Sequence, residues 1–253
     1  MKITKFKKVS NDKYKVFLEN GEVITLFEDI IINNNLLITK EILEEEKDSI
    51  LKENNNYDAY NLALKYLSIK MRSKKEVVEY LSKKDISNDN INGIIERLEK
   101  NNFINDRKYA EAYIKDQINL SNNGPYKIKN SLINLGVKED IINELLSYID
   151  SNIIKEKLTK LINKQLKIKK GSKNMLKIKL VNYFSNLGYD KGLILDILNN
   201  SDIKTNGEEL KKEYNKLYSK YSKKYEGNEL KYFIEQKLYQ KGYTKEEIKN
   251  TEY

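Results

Sequence analysis

The stretch that decides the fold is NDRKYAEAYIKDQINLSNNGPYKIKNSLINLGV, residues 105–137. Its apolar spacing predicts two helices, joined by a polar turn that contains Pro125, the only proline of the chain, and followed by a glycine stop. The same pattern occurs, less regularly, on both sides of this stretch. The sequence therefore predicts one small helical module that is used four times.

The repeat becomes visible when Asp85, Gly136, Gly188 and Gly242 are aligned, at spacings of 51, 52 and 54 residues. Apolar residues then recur at four shared offsets: Val77, Ile128, Leu180, Ile234; Leu81, Leu132, Phe184, Leu238; Ile86, Val137, Tyr189, Tyr243; and Ile91, Ile142, Ile194, Ile248. This spacing predicts two one-sided helices per unit, joined at the aligned position, where glycine suits a left-handed stop. Asp85 in place of glycine should add modest backbone strain.

A longer one-sided helix precedes each of these pairs, so the complete unit has three helices and about 50 residues. Such a unit buries roughly six apolar side chains at about 1.5–3 kcal/mol each, which barely offsets the entropy lost on ordering it. Neighbouring units must therefore stack on one another, as in other repeat proteins. The predicted fold class is mainly α, with tandem three-helix repeats forming an elongated curved array.

The first 38 residues have a different pattern, in which apolar and polar side chains alternate. The alternating segments are separated by turn signals, among them Asn20-Gly21, and predict a small antiparallel β module. The segments are Ile3–Val9, Lys13–Leu18 and Glu22–Phe27, with Ile30–Ile32 as a candidate fourth strand. Because so small a sheet is marginal alone, we expect it to pack on the first helices, as a structural cap or docking module in preference to a ligand site.

These patterns also set the domain boundaries. A helix is expected from Thr39, which would be its N-cap, and the polar run Glu53–Asn56 is interpreted as a linker. The predicted domains are 1–56 for the β module and its connecting helix, 57–104 for repeat 1, 105–150 for repeat 2, 151–202 for the basic repeat 3, and 203–253 for the degenerate repeat 4.

The composition, with 39% apolar and 34% charged residues, is that of a folded and soluble protein. No apolar run approaches the roughly 18 residues of a membrane span, and the N-terminus lacks the apolar region of a signal peptide, so we expect a cytoplasmic protein. The chain contains neither cysteine nor histidine. Disulfides, cysteine nucleophiles, Ser-His-Asp triads and metal sites with histidine or thiolate ligands are therefore excluded.

The net charge of +9 favours an acidic partner, and the distribution of lysine says where that partner would bind. Repeat 3 has 11 lysines against four acidic residues, whereas the stretch 105–137 is close to neutral. Four of these lysines share one face of a predicted helix, opposite its apolar residues: Lys157, Lys160, Lys164 and Lys167. This pattern predicts a surface for a polyanion, with DNA as the natural candidate.

Three groups of residues resemble the RecX family of RecA regulators. They are Ala63-Leu64-Lys65-Tyr66-Leu67 with Met71-Arg72-Ser73-Lys74-Lys75-Glu76-Val77; Leu98 with Asn102-Phe103-Ile104-Asn105-Asp106; and Arg107-Lys108-Tyr109-Ala110-Glu111-Ala112-Tyr113 with Gly124-Pro125-Tyr126-Lys127-Ile128, Leu132 and Gly136-Val137. The resemblance is clear over 57–150 and fainter as far as 253, and the β module matches the family's extended form. Asp85 stands where the family favours glycine. Gln117 and Lys127 stand where arginine is common, which puts inherited bidentate contacts in doubt.

The resemblance implies a non-enzymatic, monomeric regulator without cofactor or metal. It would bind the RecA filament and restrain ATP hydrolysis, filament extension and strand exchange, in recombination, DNA repair and the SOS response. Single- or double-stranded DNA, bound directly or within the filament, is the second implied partner, and no membrane is involved. One alternative is a DNA-binding protein that acts without RecA. Another is a carboxylate–metal nuclease, although the acidic residues are scattered over predicted helix surfaces.

The candidate residues for contact with RecA or DNA are all basic. They are Arg72, Lys74, Lys75, Arg107, Lys127, Lys129, Lys157, Lys160, Lys164, Lys167, Lys170 and Lys173. Each of the two arginines also has an acidic residue four positions on, so the alternative is an ion pair on the helix surface: Arg72 with Glu76, Arg107 with Glu111. For Lys127 and Lys129 the alternative is a solvated surface.

Overall fold

The computed structural model describes residues 1–249 except 11, 85, 202 and 204–206. The chain forms two compact units, Met1–Tyr109 and Ala110–Tyr253. The mainly helical fold and the N-terminal antiparallel module that the sequence predicts are confirmed. None of the helices in the described part of the chain is long and apolar enough to cross a bilayer.

The N-terminal module is a three-stranded antiparallel sheet in the order β1-β2-β3, with β1 Ile3–Lys8, β2 Lys13–Leu18 and β3 Val23–Phe27. Val16 in the central strand pairs with Phe6 on one side and with Ile24 on the other. The turn from β2 to β3 passes through Gly21 at a φ of +84°, a left-handed conformation that glycine adopts without steric cost. The three predicted strands are confirmed.

The predicted fourth strand, Ile30–Ile32, is wrong, because these residues lie in a short helix, α1 (Glu28–Asn33). Glu28 and Asp29 occupy its first turn, where carboxylates stabilise a helix N-terminus. The adjacent residues Ile30 and Ile31 are both buried in the core beneath the sheet. A strand with one covered face would bury only one of two neighbours, since successive side chains point to opposite faces.

The predicted connecting helix and linker are also corrected. The next elements are α2 (Leu36–Thr39) and α3 (Glu44–Ile69). Thr39 ends α2 and caps no long helix, and the predicted linker Glu53–Asn56 lies inside α3. This polar run is helical because Asn54 is buried against the sheet, where its side chain accepts a hydrogen bond from Phe27 N at 2.9 Å and donates one to Thr25 O at 3.2 Å.

Repeat 1 packs α3 against two shorter helices, α4 (Lys74–Ser82) and α5 (Asn88–Lys100). Val77 and Leu81 of α4 and Ile91 of α5 are buried, as the alignment predicts. Ser73 begins α4 with a reciprocal capping box, in which its hydroxyl accepts from Glu76 N and the Glu76 carboxylate accepts from Ser73 N. The aligned Asp85, with its predicted strain, lies outside the described residues.

The three-helix pattern continues along the chain. Its helices are α6 (Asp106–Leu120), α7 (Pro125–Asn134), α8 (Glu139–Ser147), α9 (Ser151–Ile168), α10 (Lys173–Asn186), α11 (Lys191–Asn199), α12 (Gly207–Tyr221), α13 (Gly227–Gln240) and α14 (Lys245–Lys249). The aligned apolar side chains of repeats 2 and 3 are buried, among them Ile128, Leu132, Leu180 and Phe184. The predicted period therefore identifies the core.

Three aligned glycines end the second helix of repeats 2, 3 and 4. Gly136, Gly188 and Gly242 have φ values of +85°, +85° and +79°. The N–H of the following residue closes the stop, as where Tyr189 N donates to Phe184 O at 3.1 Å. The predicted left-handed stop is confirmed at all three positions.

Two joints connect successive repeats within Ala110–Tyr253. In the first, the start of α7 lies on the turn after α10: Gly124 N donates to Leu187 O at 2.7 Å, and Tyr126 N donates to Gly188 O at 3.0 Å. In the second, Ser172 Oγ donates to Lys241 O at 2.8 Å. In the first joint the free N–H groups at a helix start thus find acceptors among the free carbonyls at a helix end. The glycine turns therefore connect repeats as well as end helices, a role that the sequence did not predict.

Candidate binding surfaces

Arg72, the first candidate contact residue, is packed into repeat 1. Its side chain is only 14% exposed, and Nη1 lies 3.4 Å from Glu76 Oε1, which confirms the alternative ion pair. The guanidinium carbon lies 4.2 Å from the centroid of the Tyr66 ring, which in turn stacks on Tyr80 with centroids 4.1 Å apart. Arg72 therefore holds α3 and α4 together and offers little surface to a partner.

Lys74 and Lys75 begin α4 and face acidic neighbours. Lys74 Nζ lies 3.0 Å from Glu99 Oε1, and Lys75 Nζ lies 3.9 Å from Glu79 Oε1. The backbone N–H of Lys74 donates to Asp106 Oδ1 at 2.8 Å, and the partial burial of that carboxyl raises its pKa. Both lysine side chains are about half exposed, so their ion pairs are of the weak surface kind and can be exchanged for a partner's carboxylates or phosphates.

Of the three candidates in repeat 2, one forms an ion pair within the repeat and two are exposed. Lys129 Nζ lies 2.6 Å from Glu139 Oε1 and is engaged in repeat 2 itself. Lys127 and Arg107 are exposed, each near the start of a helix. Lys127 follows the joint at Tyr126, so its backbone position is fixed by the turn at Gly188.

The lysines of repeat 3 form a basic surface along α9 and just beyond its end. Lys160, Lys164 and Lys167 are exposed along one side of α9, and among the described residues none of the three forms an ion pair. Lys173 is exposed at the start of α10, and Lys170 lies beyond the C-terminal end of α9, with its Nζ 3.8 Å from Glu209 Oε1. The predicted row on α9 is thus reduced to three lysines, with two more beyond its C-terminal end.

Lys157 does not belong to that exposed row. Its Nζ donates to Ile118 O at 2.7 Å and to Gln117 O at 3.2 Å, at the C-terminal end of α6, and approaches Asn123 O at 3.5 Å. Burial lowers the pKa of this ammonium group. An ammonium at a helix C-terminus satisfies free carbonyls and the negative end of the helix dipole. Helical spacing placed Lys157 with Lys160, but the loop after α6 covers only the first of them.

A carboxylate–metal nuclease would need a group of acidic side chains that can hold a metal ion. A hollow of about 440 Å³ in Met1–Tyr109 is lined by three of them, Asp29, Glu53 and Asp89, and by Arg97. The Arg97 guanidinium lies over the ring of Tyr60 at 4.1 Å. Within the described residues, no three acidic side chains form a group arranged to hold a metal ion.

Two segments of the chain match models of the RecX family. Residues 59–98 match the first three-helix domain of RecX, and residues 105–146 match the second. Curated relatives named "Regulatory protein RecX" match almost end to end. The protein from Streptococcus uberis is 34% identical over 255 residues, which cover 99% of this chain and 98% of that protein. The protein from Lactococcus lactis subsp. cremoris is 33% identical over 262 residues, covering 98% and 95%.

Two solved structures are similar to this fold. One, described as the crystal structure of regulatory protein RecX, has a TM-score of 0.67 at 22% identity and covers 79% of this chain and 99% of its own. The other, RecX from Lactobacillus salivarius, has a TM-score of 0.54 at 30% identity and covers 58% of this chain and 97% of its own. The three-helix repeats seen here are therefore an arrangement that these proteins share.

Proposed function

The chain belongs to the RecX family, whose curated members are named regulatory proteins, and we propose that it regulates RecA. It binds the RecA nucleoprotein filament as a monomer and inhibits ATP hydrolysis, filament extension and strand exchange, without catalysing a reaction itself. The observation that carries this proposal is similarity at 34% identity over nearly the whole chain, β module and all four repeats included.

The arrangement of basic residues supports a partner that combines protein with nucleic acid. Lys74 and Lys75 hold weak surface pairs that a carboxylate of a protein partner can replace. Lys160, Lys164 and Lys167 form an exposed row that makes no such pair with any described residue, which suits a phosphate backbone. Several repeats that each make a few weak contacts reach a high combined affinity, because the first contact raises the effective concentration of the next.

DNA binding without RecA is the second candidate function, and the lysine row of α9 favours it. Contacts to phosphates would make the affinity for DNA fall steeply with salt, with a slope of about 0.9 per phosphate on duplex and about 0.7 on single strands. If this candidate is right, the chain binds bare DNA with the same affinity as DNA that is covered by RecA.

The proposed regulation is tested by the RecA ATPase on single-stranded DNA. We expect the rate of ATP hydrolysis to fall as the chain is added up to one molecule per RecA protomer, and strand exchange to slow in parallel. The chain alone should hydrolyse no ATP. Unchanged ATPase and strand-exchange rates at stoichiometric protein would overturn the proposed function.

A further inference from the structure

An apolar groove runs along the seam between α6 and α9 in the unit Ala110–Tyr253. Its first part, about 550 Å³, lies between α6, the end of α8 and the start of α9. Its second part, about 400 Å³, continues along the end of α6 and the following loop against α9. The two parts share Ile118, Asn119 and Ile153, so they form one continuous depression. We call it the α6–α9 groove.

The floor of the α6–α9 groove is made of large apolar side chains. They are Ile114, Ile118, Leu145, Ile149, Ile153 and Leu161. Ile153 is 50% exposed, and Leu120 and Tyr148 at the rim are more exposed still. The lining residues run from 111 to 122 on one side and from 150 to 161 on the other, so the two helices run in the same direction along the groove. Ten residues of α6 correspond to a length of about 15 Å.

The two ends of the groove carry opposite charge. Glu111 and Asp150 lie at the first end with Lys115, whereas Lys160 is the exposed cation at the second end, beside Glu156 and the Lys157 ammonium that is bound to the carbonyls of α6. An α-helix has the matching polarity, because its N-terminus is partially positive and its C-terminus partially negative. A helix with its N-terminus beside Glu111 and Asp150 would thus be stabilised at both ends.

We propose that the α6–α9 groove binds one amphipathic helix of the protein partner, with the N-terminus of that helix at the Glu111 end. About three turns fit into the length of the groove, with apolar residues at i, i+3 or i+4, and i+7 against Ile118 and Ile153. The free carbonyls in the last turn of that helix face the Lys160 ammonium. A second copy of this chain is the poorer occupant, since a two-fold axis would place groove on groove and leave both apolar floors unfilled.

The inference rests on the proposed function, because it takes the bound partner to be the protein of the filament. Its test compares Ile153→Asp with Ile178→Asp in the full chain. Ile178 lies on α10, outside the groove, and is 55% exposed, close to the 50% of Ile153. Asp at position 153 lies in the first turn of α9, where a carboxylate stabilises the helix, so this variant should fold.

Binding is measured by co-sedimentation with RecA filaments preformed on single-stranded DNA. We expect Ile153→Asp to raise the half-saturating concentration at least tenfold, and Ile178→Asp to change it less than twofold. Lys160→Glu should weaken binding in the same direction as Ile153→Asp. Circular dichroism of each variant verifies that the helices are intact.

Four outcomes overturn the inference. Wild-type affinity of the Ile153→Asp variant would show that the groove is not the docking site, while the proposed function would stand. Equal losses of affinity in the Ile153→Asp and Ile178→Asp variants would also show that the groove is not the docking site. A dimer in sedimentation analysis that Ile153→Asp converts to a monomer would assign the groove to self-association. If the wild-type chain itself fails to sediment with filaments, the proposed function falls together with the groove.

Discussion

Replacement of Gly188 by alanine is expected to lower the free energy of unfolding by about 2–5 kcal/mol. One contribution is the left-handed backbone at φ +85°, which costs a residue with a Cβ about 1–2 kcal/mol. The other is the joint between repeats 2 and 3, where an added Cβ would lie 2.3 Å from Lys127 N. Because that neighbour is backbone, α7 must move away and its hydrogen bonds to the turn must lengthen. Urea unfolding followed by circular dichroism measures the loss.

Gly227→Ala is the matched control for this prediction. Gly227 also has a positive φ, +55°, but an added Cβ there meets nothing within 4 Å. This variant therefore reports the backbone cost alone, about 1–2 kcal/mol. If both variants lose the same free energy of unfolding, the close contact between Gly188 and Lys127 contributes nothing to stability. That result would contradict the proposed role of the joint.

Replacement of Lys157 by methionine is expected to cost about 1–3 kcal/mol. Methionine keeps much of the side-chain length but removes the ammonium group, which leaves Ile118 O without its donor at 2.7 Å in a partly buried place. The loop that leads into α7, and with it the joint between repeats 2 and 3, should loosen. Thermal and urea unfolding of the full chain measure the effect.

Lys160→Met separates this structural role from a general effect of lost charge. Lys160 lies almost one turn further along α9 and is exposed, so its replacement should change stability by less than about 0.5 kcal/mol. A Lys157→Met variant as stable as Lys160→Met would show that the carbonyls of α6 do not depend on the ammonium group.

The repeated helical fold could be predicted because its signal is local and periodic. The apolar offsets around Gly136 and Gly188 recur in every copy. The left-handed stop favours glycine, which is recognised directly in the sequence. The strands were predictable for the same reason, since alternation marks a sheet with one covered face. Periodicity says which face of an element is buried, and the structure agrees with it.

The errors arose where a tertiary partner decides the outcome. Asn54 lies in a polar run whose composition predicts a linker. In the structure its side-chain amide forms hydrogen bonds with two backbone groups of the sheet, and α3 is continuous there. Lys157 shares a helical face with Lys160, yet a loop some 35 residues earlier in the sequence covers it. The joint at Gly124 and Gly188 is made of backbone atoms, so it leaves no side-chain pattern beyond two glycines.

The candidate binding surfaces show the same division. Sequence reasoning found the exposed lysines of α9 because a charge row on one helix face needs no partner. It also selected Arg72, whose guanidinium is taken up by Glu76 and Tyr66. It missed the α6–α9 groove entirely, because the apolar residues of that groove belong to three helices and look individually like core positions.

The most direct test of regulation through RecA is co-sedimentation of the wild-type chain with two targets at the same salt concentration. One target is single-stranded DNA covered by RecA with a slowly hydrolysed ATP analogue, and the other is the same DNA without RecA. We expect saturable binding to the filament, at an affinity at least tenfold higher than for bare DNA. Equal affinity for both targets, or sedimentation with bare DNA alone, would contradict a RecA regulator and leave a DNA-binding protein in its place.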